Sequence, residues 1–169
     1  KYVLDKPLML TSDDGNDSKE LIIKNYPGEK TVLSSGIVLD LKWEKYKNGI
    51  MRAVVKGSPV MDMLFVNGEL KSMARYPNYD EKAVRFNGTS ALATAPERVK
   101  KWKCPEGGYL HAMHKHDWGD FHYRITGKNE KGELQLEGGW QNNRPMGIHN
   151  ENRMVENIFE ELDAPGEWY

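Results

Sequence analysis

The sequence predicts an all-β chain. Apolar runs are short, turn-forming residues punctuate them at close intervals, and Asn-Gly and Pro-Gly pairs sit between them. Only one stretch, Ala91 to Trp102, has the character of a helix, so the expected composition is mainly β with one short α-helix.

The elements follow in order. Val3 to Leu10 reads as a first strand, and Thr11 to Ser18 (TSDDGNDS) as a polar loop of turn formers. Leu21 to Tyr26 is a second strand, closed by Pro27-Gly28 at the two central positions of a type II turn. Thr31 to Leu41 is a third, interrupted by Ser34-Ser35-Gly36. Leu21-Ile22-Ile23 and Ile37-Val38-Leu39 are continuous rather than alternating, which predicts cover on both faces. Asn48-Gly49 precedes a weakly alternating run, Ile50 to Lys56. Met61 to Val66 and Leu70 to Tyr76 flank Asn67-Gly68, the strongest short-range hairpin signal. Pro77 to Ser90 is a polar loop.

In the helical candidate, Pro96 suits the first turn and Glu97 the positive end of the dipole. Lys100, Lys101 and Lys103 suit the negative end. Gly108 to His114 is a strand. In Asp120 to Thr126, alternation sets Phe121, Tyr123 and Ile125 on one face and His122, Arg124 and Thr126 on the other. Glu133 to Glu137 returns antiparallel after a turn at Gly127 to Gly132, Gly138 to Asn152 is polar and irregular, and Arg153 to Phe159 is the last strand. Ala164-Pro165-Gly166-Glu167 echoes Tyr26-Pro27-Gly28-Glu29 as a similar tight turn.

Composition narrows the function classes. The 169 residues carry 24 basic and 25 acidic side chains for a net charge of −1, so no global field draws the chain to nucleic acid or to an anionic membrane. Apolar runs are too short for a membrane span. Cys104 is the single cysteine, which excludes an internal disulfide and Cys-rich zinc modules. No GxGxxG, P-loop or GxSxG pattern occurs, and no cofactor is expected. The chain begins at Lys1 without a methionine and ends on Trp168-Tyr169, so both ends read as cut from a longer protein.

Three groups of residues could carry chemistry. His111 to His122 (HAMHKHDWGDFH) holds four of the five histidines. His114 and His116 would share a strand face, a spacing that can hold a metal, while His111 and His114 would share a helix face. Imidazoles lining a polar surface or a ligand cleft are the alternative. Gly138 to His149 (GGWQNNRPMGIH) combines Trp140 with Gln141, Asn142, Asn143 and Arg144. A tryptophan face can stack on a sugar ring while amides and a guanidinium bond its hydroxyls; the alternative is a structured loop with Trp140 as a core plug. Glu156 to Trp168 carries five carboxylates. Glycoside hydrolysis needs two, about 5–5.5 Å apart for retention or about 6.5–9.5 Å for inversion, but an acidic run also suits a solvated face.

Larger motifs point further. Leu64-Phe65-Val66-Asn67-Gly68 followed by Ala74-Arg75-Tyr76-Pro77-Asn78 resembles a signature of secreted right-handed parallel β-helix proteins of carbohydrate-degrading bacteria. Trp118-Gly119, Tyr123 to Gly127, Val155-Glu156-Asn157 and Glu160 to Tyr169 (EELDAPGEWY) continue it, and Leu21 to Val38 is similar to early rungs of such a helix. The set resembles the insertion domain of glycoside hydrolase family 141 and its relatives. The resemblance implies parallel β-helix rungs over residues 1–45, an inserted antiparallel β-domain of barrel or sandwich type over 46–155, and a return into the helix over 156–169.

The resemblance also implies a secreted, periplasmic or cell-surface protein that degrades polysaccharide, with its catalytic carboxylates on rungs beyond Tyr169. This stretch is then expected to be a non-catalytic fragment that shapes or flanks a carbohydrate cleft. Its expected sugar contacts are His114, His116, Trp118, Trp140, Asn143 and Arg144. The expected partners are a plant or host glycan and the rest of the parent β-helix, with a homodimer through exposed strand ends as a further possibility. Rival readings are a structural brace for the β-helix and a metal site around His111 to His122.

Overall fold

A computed structural model describes residues 1–15, 18–57 and 61–169. The chain divides into two compact units, Lys1–Val60 and Met61–Tyr169.

Among its described residues the first unit holds four two-residue strands: β1 (Tyr2–Val3), β2 (Leu33–Ser34), β3 (Glu44–Lys45) and β4 (Met51–Arg52). β1 and β2 pair in parallel, Tyr2 opposite Leu33 and Val3 opposite Ser34. The ladder is extended by the Tyr2 N–H to Val32 O and the Leu4 N–H to Ser34 O, both 2.8 Å. β3 and β4 form a hairpin around Asn48-Gly49, whose positive φ values of 52° and 79° are those of a type I′ turn. Glu44 and Arg52 close it with a 2.6 Å ion pair. The Pro27-Gly28 turn is present as expected, with the Glu29 N–H on Tyr26 O at 3.0 Å and Gly28 at φ 84°. The predicted loop at 11–18 lies partly outside the described residues.

The three predicted long strands of this unit shrink to β1 and β2, and Leu21 to Tyr26 holds none. The expected cover on both faces is not made either. No described residue up to position 57 is buried, and Ile37 and Val38 are each 74% exposed. A continuous apolar run needs a layer on each side, and two-residue pairings within this unit supply neither.

The second unit begins with a hairpin of β5 (Leu64–Val66) and β6 (Glu69–Lys71), with Val66 opposite Glu69. Its Asn67-Gly68 turn has φ values of 54° and 85°, as the sequence predicts. The remaining strands are β7 (Arg75–Tyr76), β8 (Tyr109–His114), β9 (Asp120–Lys128), β10 (Leu134–Gly138), β11 (Trp140–Gln141), β12 (Arg144–Pro145) and β13 (Ile148–Glu156). Two short 3₁₀ turns, Ala91–Thr94 and Phe159–Glu161, and the single-turn helix α1 (Pro96–Val99) complete it.

Five strands form one antiparallel sheet in the order β10-β9-β8-β13-β7. The chain is therefore mainly β, with one short α-helix. The sheet is open, and its apolar face is covered by helical turns where a second sheet was expected: Leu110, Ala112, Tyr123, Ile125 and Val155 pack against Ala93, Val99, Trp102 and Ile158. Trp102 is the largest of these and is 1% exposed. Its indole N–H donates to Glu161 Oε1 at 2.6 Å, and Arg98 Nη1 reaches Glu161 Oε2 at 2.7 Å, so the buried carboxylate is satisfied on both oxygens. Lys128 of β9 donates its ammonium to the Val99, Lys100 and Trp102 carbonyls at the C-terminal end of α1.

Residues 156–169 pack within this same unit. Trp168 forms a parallel bridge with Met73, and its N–H donates to Ser72 O at 3.0 Å. The Pro165-Gly166 turn has the form expected, with the Glu167 N–H on Ala164 O at 3.3 Å and Gly166 at φ 90°.

Candidate functional site

Strict alternation along β8 and β9 decides where the histidines go. Leu110, Ala112 and His114 point into the core face; His111 points to the other face, opposite His122. His116 lies beyond the strand, in the turn that joins β8 to β9, so it does not share a strand face with His114. That turn is closed by the His114 N–H on Gly119 O and the Asp117 N–H on His114 O, both 2.7 Å, with Asp117 at φ 58°.

The turn lays Trp118 flat on His114. The two rings are 5.0 Å apart and 16° from parallel. His114 is 5% exposed while Trp118 is 78% exposed, so the indole rests one face on the imidazole and offers the other to solvent. His116 stands beside both, 5.5 Å from His114 and 5.6 Å from Trp118. Its backbone N–H donates to His114 Nδ1 at 3.2 Å, which places the proton of a neutral His114 on Nε2. Burial first, then the charges of His116, Lys115 and Arg144, push the His114 imidazole below its ordinary pKa of 6.5.

The second expected group arrives at the same end of the sheet. Gly138 to Asn152 is more ordered than the sequence suggests: β11 and β12 form a hairpin around Asn142-Asn143, whose φ values of 52° and 59° make another type I′ turn. Gly139 turns the chain over Tyr123, since a Cβ there would lie 1.9 Å from the ring. Tyr123 Oη donates to Met146 O at 3.2 Å, and the Lys115 N–H donates to Gly147 O at 2.9 Å. The His114–Trp118 turn and the Trp140–Arg144 hairpin are thereby held side by side. Trp140 is 64% exposed and does not plug the core. All six expected residues, His114, His116, Trp118, Trp140, Asn143 and Arg144, belong to these two adjoining loops.

A second polar cluster crosses the opposite face of the sheet, and sequence reasoning missed its partners. His111 Nε2 contacts Glu156 Oε1 at 2.7 Å, and its Nδ1 faces His122 Nδ1; Asp120 lies 3.5 Å from His122 Nε2. Burial would raise the Glu156 carboxyl, but the His111 hydrogen bond and the charges of His111, Arg75 and His122 outweigh it and hold its pKa below 4.5. Arg75 is buried, donating Nε to Pro77 O at 2.8 Å and Nη2 to Phe86 O and Gly88 O at 2.7 and 3.0 Å. Glu156 was visible as one carboxylate of an acidic run and within the Val155-Glu156-Asn157 motif; its pairing with a histidine 45 positions earlier leaves no local signal.

Among the described residues no group of three or more His, Cys, Asp or Glu side chains is arranged to hold a metal ion, so the metal reading of His111 to His122 finds no donor set. No described helix is long and apolar enough to cross a membrane. Cys104 is exposed. Comparison with known proteins yields no matching family model, no matching curated protein and no matching solved structure.

Proposed function

We propose that the second unit is a non-catalytic carbohydrate-binding module, with Trp118 as its stacking platform and the β11–β12 hairpin as its polar wall. One observation carries the reading: a fully extended indole face, backed by a parallel imidazole and open to solvent. An exposed tryptophan loses apolar contact with nothing in return unless a ligand covers it, and a rigid backing ring removes the entropy cost of ordering it at binding. Asn143 and Arg144 stand on the adjoining turn with the donors and acceptors that hydroxyls require. The parent protein is, on this reading, a secreted polysaccharide-degrading β-helix enzyme. The parallel β1–β2 pairing and the uncovered Ile37 and Val38 support rungs of such a helix, whose neighbours would provide the missing layers.

Polysaccharide binding by the whole chain tests the proposal. Trp118→Ala is expected to weaken binding about tenfold or more while leaving the melting temperature nearly unchanged. Trp118→Phe, which keeps an aromatic face, should recover part of the loss. Unfolding of both variants would mean that Trp118 packs the structure and does not serve a ligand.

A further inference from the structure

We infer that the sugar taken by this platform is anionic, a pyranose polymer bearing carboxylate or sulfate groups. The inference rests on the carbohydrate reading of Trp118 and adds the charge of its ligand. Two permanent cations sit on the elements that frame the open indole: Lys115 in the same turn, and Arg144 on the adjoining hairpin that the Lys115 N–H ties down through Gly147 O. Among the described residues neither Lys115 nor Arg144 has an ion-pair partner.

The two acids of the turn do not neutralise them. Asp117 Oδ1 is engaged by Arg85 Nη1 at 3.0 Å and lies 3.7 Å from His149 Nε2. Asp120 is set against His122, at 3.5 Å. Lys115 and Arg144 both act as like charges on the buried His114 ring, the ring on which Trp118 stacks. A protein of net charge −1 that leaves two cations unpaired beside one aromatic face presents a local anion site with no global one. Arg144 adds a planar fork that fits a carboxylate or sulfate with two parallel hydrogen bonds. A nucleic acid would need a longer cationic track and more stacking faces than one turn and one hairpin offer.

The test compares four probes on the whole chain at low salt: polygalacturonate, its fully methyl-esterified neutral form, a sulfated galactan and a single-stranded oligonucleotide. The expected result is at least about tenfold tighter binding of one or both anionic polysaccharides than of the ester, with the advantage shrinking at about 0.5 M salt. The better of the two names the anionic group. Lys115→Gln should remove about 2- to 5-fold from the anionic polymers and nothing from the ester. Equal affinity for polygalacturonate and its ester overturns the inference and leaves the carbohydrate reading standing. Tighter binding of the oligonucleotide overturns the inference in favour of a nucleic acid. Binding of no polymer, or affinities that Trp118→Ala leaves unchanged, overturns both.

Discussion

The two units spend similar kinds of residues in opposite ways. Lys1–Val60 contains continuous apolar runs, Leu21-Ile22-Ile23 and Ile37-Val38-Leu39, and buries none of its described residues; Met61–Tyr169 has the alternating strands β8 and β9 and builds a closed core. An alternating strand needs one covering layer, which a few helical turns can provide. A continuous strand needs two, and both must come from other strands or rungs. Hydrophobicity by itself therefore does not build a core; the period of the hydrophobic pattern decides how many partners must be present first.

The sharpest way to break this comparison is to truncate one large side chain in each unit. Trp102→Ala removes a buried indole and the donor that satisfies Glu161, and should cost about 3–5 kcal/mol in urea denaturation. Ile37→Ala in the first unit should change stability by less than about 0.5 kcal/mol. Comparable losses would mean that the first unit has a core of its own.

Next in size is Glu156→Gln, expected to cost about 1–3 kcal/mol at pH 7 by breaking the contact with His111. The sign follows from the depressed carboxyl. Its stabilisation is complete above the ordinary value of 4.5 and is lost as pH falls through the lower folded pKa, so the gap between parent and variant should close in strong acid. A gap that widens on acidification would show that Glu156 is not held ionised by the sheet. Smallest is Gly68→Ala, which places a side chain at φ 85° in a turn with open space around it; hydrogen exchange should show the β5–β6 hairpin opening more readily by about 1 kcal/mol, with the five-stranded sheet unaffected.

The same contrast explains what could be read from the sequence. The Asn67-Gly68 hairpin, the faces of Asp120 to Thr126 and Pro96 at the start of α1 were legible because each depends on residues a few positions apart. The Asn142-Asn143 turn was legible in principle, since asparagine tolerates positive φ, but without a glycine it reads as loop. At the site, the residue types of both loops were recognisable. Their meeting was not, because it depends on one bond from Lys115 to Gly147 and on the close approach of Gly139 to Tyr123. His116 was misplaced because the strand ends at His114, where the turn to Gly119 begins. The lengths of the first-unit strands were overestimated for the reason already given: their pattern demands partners that their own unit does not contain.

The ammonium of Lys128 bears on what keeps the short helix of the second unit folded. A four-residue helix cannot hold itself in water, because its nucleus costs more than its few hydrogen bonds return. The group that gathers the carbonyls at its end comes from the far end of β9, 26 to 29 positions later. Between them lie β8 and its turn, so the contact joins the helix to the sheet across the β8–β9 hairpin. The helix therefore draws its stability from the sheet and not from its own turns.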